Sequence, residues 1–131
     1  MKRMCGYFLF VILYLASASA LADETKFSKE QICKACVSIV MGKDPSIIKI
    51  DKTEGDVVYL SYIRSNDGTK WAYRCKLSGN RAIWANAIGR WRDSQWDSNI
   101  IYKIDGDTLQ IEDRFNDGSA TKESYSYNQL K

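Results

Sequence analysis

An α+β domain, with an N-terminal helix packed on a twisted antiparallel β-meander of six to seven strands, is the fold this sequence predicts. Three observations carry that expectation. Apolar spacing follows a period of 3.6 across residues 28–41, then changes to two and stays there almost to the end of the chain. The alternating segments are separated by short clusters of Gly with Asn, Asp or Ser, and connections this short force antiparallel neighbours. The chain has the length for one core and not for two. A sheet of this strand count is either open or rolled part of the way toward a barrel.

The first 22 residues stand apart from this domain. Lys2 and Arg3 supply a positive end, 8–16 is apolar apart from Tyr14, and Ala20-Leu21-Ala22 precedes Asp23-Glu24. This is the layout of a cleavable secretory signal, so a mature chain beginning near Asp23 is expected, in the periplasm or outside the cell. The apolar run is short for a transmembrane helix, and Cys5 lies ahead of the cleavage point, where it cannot carry the lipid of a lipoprotein. No stable membrane insertion is therefore expected after cleavage. Removing 22 residues from 131 leaves 109, read as a single domain over 23–131.

In the helix, Ser28 caps the start, Gln31 completes a capping box three residues later, and Phe27 and Ile32 stand where a hydrophobic staple requires them. Ile32, Ala35, Cys36, Ile39 and Val40 form the apolar stripe, with Cys33 on its flank and Lys29, Lys34 and Ser38 outside it. Gly42 suits the left-handed position after Met41, and Pro45 prevents continuation. Strands are expected over 47–51, 57–64, 69–77, 81–85, 99–104, 108–115 and 121–127. In the third, Trp71, Tyr73, Cys75 and Leu77 share one face and Lys70, Arg74 and Lys76 the other. The last few residues read as a loose end.

After the signal the cysteines are Cys33, Cys36 and Cys75, an odd number for an oxidising compartment. Cys33-Lys34-Ala35-Cys36 has the spacing of a thioredoxin-type pair, but no strand precedes the helix as that motif requires. Cys75 faces inward, so a helix-to-sheet disulfide is natural. Cys33, at the flank of the stripe, is favoured over Cys36 as its partner, leaving Cys36 as a buried apolar side chain. The loop closed is about forty residues, worth on the order of 3 to 4 kcal/mol in the chain-entropy account. With no histidine and no fourth thiolate in the mature chain, neither a zinc site nor another metal or cofactor site is expected.

Charge excludes further classes. The chain has 19 basic residues, of which Lys2 and Arg3 belong to the signal, against 16 acidic ones, so the mature domain is nearly neutral. Each phosphate contact of a nucleic-acid binder uses a Lys or Arg, and no such excess exists here. A serine or cysteine triad lacks its histidine base, and no nucleophile elbow or phosphate loop is present.

The segment 88–97 breaks the two-residue period and gathers Arg90, Trp91, Arg92, Asp93, Trp96 and Asp97. Trp and Arg are the side chains that most often anchor interfaces, and loops on rigid sheets are where sites sit. Arg90, Trp91, Arg92 and Trp96 are therefore the candidate binding residues. The competing account makes Trp91 and Trp96 an end plug, with the arginines paired to Asp93 or Asp97. Asp93, Asp97, Asp105, Asp107, Glu112 and Asp113 lie near aromatic residues that could stack on sugars, but solvation in turns and on polar strand faces explains most of them. The sequence thus points to a non-enzymatic exported binding protein, an inhibitor or immunity protein against a cell-envelope enzyme, whose partner is another protein. A small carboxylate-based carbohydrate hydrolase and a small-ligand carrier are the alternatives. Facing carboxyls across a cleft would mark the first, and a deep aromatic-lined cavity the second.

Overall fold

The structure, a computed structural model, describes residues 26–131. The expected signal segment lies outside the described residues. Helix α1 (Lys29–Met41) is followed by a 3-10 turn (Pro45–Ile47), seven strands and a closing 3-10 turn (Asn128–Leu130). The strands are β1 (Lys49–Glu54), β2 (Val57–Ile63), β3 (Lys70–Ser78), β4 (Arg81–Asn86), β5 (Asn99–Asp105), β6 (Thr108–Arg114) and β7 (Ala120–Ser126). They form one antiparallel sheet in chain order, with β1 and β7 as its two edges. The sheet is open, so the option of a rolled barrel is corrected: β1 and β7 each have one neighbour and do not pair with each other.

Local chemistry starts and stops α1 where the sequence predicts. Gln31 donates its backbone N–H to Ser28 Oγ (3.1 Å), and Ser28 N–H donates to Gln31 Oε1 (2.8 Å), the reciprocal capping box. Gly42 ends the helix at φ 65°, a conformation that glycine adopts without a Cβ penalty. The buried face is wider than the expected stripe and includes Cys33, Val37 and Ser38. Ser38 corrects the reading that set it outside. Its Oγ lies 3.0 Å from Tyr125 Oη of β7 and donates to the Lys43 carbonyl, so the buried hydroxyl is satisfied.

The helix lies on the face formed by Val58, Leu60 and Tyr62, by Tyr73 and Cys75, and by Ile100, Leu109, Ile111 and Tyr125, all buried. Cys33 and Cys75 are joined across that interface, with Cα atoms 5.7 Å apart, and Cys36 remains free and buried. Burial pushes the Cys36 thiol far above its usual range. Leu130 is 1 % exposed and closes the core, so the last residues are docked rather than loose.

The first strand starts two residues later than expected and runs to Glu54 because Pro45 opens a 3-10 turn capped by Asp44. It is a polar edge strand with no two-residue period to read, and its register slips between Ile50 and Lys52. Asp113 sits opposite Ile100 on the helix face, 5 % exposed, and its Oδ1 has no hydrogen-bond partner among the described residues.

The two ends of the sheet differ in build. The β1–β2, β3–β4 and β5–β6 hairpins close with two-residue turns that open on Gly55, Gly79 and Gly106, all with φ near 60°. The other end carries the longer β2–β3, β4–β5 and β6–β7 connections.

Candidate functional site

The β4–β5 connection, residues 87–98, exists because these two strands pair only at Arg81 with Ile101 and Ala82 with Ile100 before they part. The chain fills the opening. Ala87 N–H donates to the Ala72 carbonyl (3.1 Å), and Arg92 N–H donates to the Trp84 carbonyl (2.8 Å), which ties the loop back to β3 and β4. At its far side Asn116 of the β6–β7 turn donates its side-chain amide to the Trp96 carbonyl (2.9 Å).

Within the loop, Asp97 is the organising residue. Its carboxylate accepts two hydrogen bonds from Arg90 (2.8 and 3.0 Å), plus the Ser94 N–H (3.0 Å) and hydroxyl (2.8 Å). The planar fork of arginine fits a carboxylate at both oxygens, which makes this ion pair directional as well as charged. The Arg90 bonds, then those from Ser94, hold the Asp97 carboxyl well below the usual carboxylate range, and the same pair raises Arg90. Arg90 is therefore a brace, with its guanidinium committed inside the loop.

The two tryptophans part company. Trp91 is half-buried, with the Arg74 guanidinium 4.7 Å and the Lys76 ammonium 4.2 Å from its ring. Both cations project from the face of β3 opposite the helix, so Trp91 covers part of the outer sheet. Arg92 turns the other way, its guanidinium 5.3 Å from the ring of Trp84, whose strand position shares the helix side with Cys75. Trp96 is 78 % exposed. Of the four residues singled out by sequence, the structure thus gathers all four in one loop, but only Trp96 presents an open apolar ring.

Sequence reasoning missed its companions. Ile88 is 90 % exposed in the same loop, and Ile63, Trp71 and Phe115 are exposed at the ends of β2, β3 and β6. Ile47 is exposed just before β1, whose first residue pairs beside the end of β2. All six exposed large apolar side chains among the described residues therefore stand at the end of the sheet that carries the long connections. The signal was available: in a meander every second connection lies at the same end, so the β2–β3, β4–β5 and β6–β7 connections share one end of the sheet.

The acidic residues do not converge. Asp97 is taken by Arg90, Glu112 and Asp113 point to opposite faces of β6, and Asp105 and Asp107 belong to the hairpin at the other end. Among the described residues no three His, Cys, Asp or Glu side chains form a cluster able to hold a metal, and no helix is long and apolar enough to cross a membrane. An open groove of about 830 Å³ lies on the outer face of β5–β7, floored by Ile101 and flanked by Lys103, Gln110, Glu112 and Lys122. No family model, curated protein or solved structure matches the chain.

Proposed function

We propose that the protein is a non-enzymatic, exported binding protein that engages another protein through the 87–98 loop and the apolar side chains beside it. The observation that carries this reading is the exposure of Trp96 and Ile88 on a loop held in shape by the Arg90–Asp97 pair. A rigid loop presenting a bare indole loses little conformational freedom on binding, which is what an interface anchor needs. Ile63, Trp71 and Phe115 are exposed at the same end of the sheet, with the Arg64 guanidinium over the Trp71 ring. An inhibitor or immunity role against a cell-envelope enzyme fits a small disulfide-linked domain behind a signal-like segment. The dispersed carboxylates weigh against the hydrolase reading, and the open sheet weighs against a carrier with an enclosed cavity.

Capture of a partner from envelope extract by the mature protein tests the proposal. Trp96→Ala should weaken capture by roughly thirtyfold, the effect of losing one interface anchor. Its thermal midpoint should stay that of the parent. Unchanged capture by Trp96→Ala and Ile88→Ser together would remove the loop as the site.

A further inference from the structure

Helix α1 covers one face of the sheet, and the charges of the strands are sorted by face. Cross-strand pairing places every Lys and Arg of the seven strands on the outer face, away from the helix. The acids on that face are Glu54, Asp105 and Glu112, with Asp51 at the β1 irregularity, whereas Asp113 and Glu123 fall on the helix side. A domain close to neutral as a whole thus has one positive face.

Part of that charge is used within the fold. Lys52 pairs with Glu54 (3.3 Å), Lys70 with Asp51 (3.9 Å) and Arg114 with Glu112 (3.3 Å), while Arg74 donates to the Asn86 and Gly89 carbonyls. Arg81, Lys103 and Lys122 differ. Their side chains have no ion-pair partner among the described residues, and Arg81 Nε is shut away from water with no acceptor beside it.

These three cations surround the 830 Å³ groove on β5–β7. Lys103 and Lys122 line it, and Arg81 stands directly opposite Ile101 at its floor. One row across the sheet runs Arg81, Ile101, Glu112, Lys122. At about 4.8 Å per strand, its two cations lie about 14 Å apart, with an apolar and an acidic side chain between them.

That spacing selects among anions. Nucleic acid and polyphosphate carry a charge at every phosphate and would set some of it against Glu112. An extended polypeptide puts alternate side chains on one side, so acids four residues apart stand about 13 Å from each other with a neutral side chain midway. Two such acids match Arg81 and Lys122, the middle residue meets Ile101, and Gln110 and Ser124 on the walls offer hydrogen bonds to the amides between them.

We infer that the outer-face groove binds an extended acidic segment of another protein, with carboxylates four residues apart held by Arg81 and Lys122 and with Lys103 adding to the positive potential. None of these residues belongs to the 87–98 loop, and the inference stands independently of that loop's role.

The test uses the full chain and the capped peptide Gly-Glu-Thr-Val-Thr-Glu-Gly at millimolar concentration in low salt, where exposed charges are least screened. Amide chemical shifts of Ile101, Lys103, Glu112 and Lys122 should move and saturate with the peptide. A peptide with Gln in place of both Glu should leave them still, and one with the two Glu adjacent should bind more weakly. Lys122→Gln should weaken binding roughly fivefold, the worth of one exposed ion pair. Glu112→Gln, which removes the acid from the row and frees Arg114, should strengthen it roughly threefold. A gain of that kind cannot come from a damaged fold, so it decides the question even if Lys122→Gln unfolds. Removing two charges from the helix by Lys29→Gln and Lys34→Gln should leave binding as it is. Still amides, equal binding of the Gln peptide or equal weakening by the helix substitutions overturns the inference. So does tripolyphosphate that fills the groove more tightly than the peptide, which would make it a site for dense polyanions.

Discussion

Cys75 and Cys36 face the same helix–sheet interface and have opposite fates. The Cys33–Cys75 bond closes a separation of 42 residues, so Cys75→Ser should lower stability by about 4 kcal/mol in the chain-entropy account, measured by denaturant unfolding. Cys36 is fully buried with its thiol pushed up, and it should resist alkylation in native buffer and react only as the protein unfolds. Rapid native labelling would mean that the interface opens. The two loop tryptophans separate in the same manner. Trp91→Ala removes two cation contacts and a half-buried ring, for an expected loss of about 1 to 2 kcal/mol, whereas Trp96→Ala should change stability by less than about 0.5 kcal/mol. Thermal melts compare them directly. Asp113 runs against the usual sign for a buried residue. Its Oδ1 is shut away from water without a hydrogen-bond partner among the described residues, so Asp113→Ala, which removes the unpaired acceptor, should raise stability by about 1 kcal/mol. A destabilised variant would mean that this carboxylate is held by something bound to the protein.

At the scale of elements, the 87–98 loop owes its form to one carboxylate, and its pH dependence follows. Because the native Asp97 value is depressed, its contribution is fully present above the ordinary carboxylate value near about 4 and is lost as pH falls through the native one. Exchange protection of the loop amides should therefore persist through mildly acidic buffer and disappear only under strongly acidic conditions. Asp67, pushed down to about 2 by Arg64 and by the Thr69 N–H, places the β2–β3 turn in the same regime. In Asp97→Asn the loop should lose protection already at neutral pH, while the strands keep theirs. The strands themselves were legible where their alternation was apolar, as in β2, β3, β5 and β6. The first strand was read at 47–51 with its bounds displaced from Lys49–Glu54, because Lys49, Asp51, Lys52 and Glu54 carry no apolar phase and its position is set by pairing with β2.

At the scale of the molecule, one end of the sheet closes with two-residue turns and the other carries the exposed apolar side chains, and the proposed export rests on the signal-like layout of the first 22 residues. Mass spectrometry of the exported protein should find a start at Asp23; an intact Met1 would remove the compartment argument on which the exported role depends. The sequence by itself determined the class of fold, the capped helix and the meander, because each follows from spacing or from the residues flanking a single element; it pointed Cys75 at the helix and favoured Cys33, and the structure decided between Cys33 and Cys36. It also located the loop where period two fails. Only the tertiary structure decided that the sheet stays open, that Arg90 is consumed by Asp97 and that Trp91 is covered while Trp96 is bare. Those outcomes depend on where β4 and β5 part and on which chain segments meet across the sheet, and contacts between residues distant in sequence leave no periodic trace in either one.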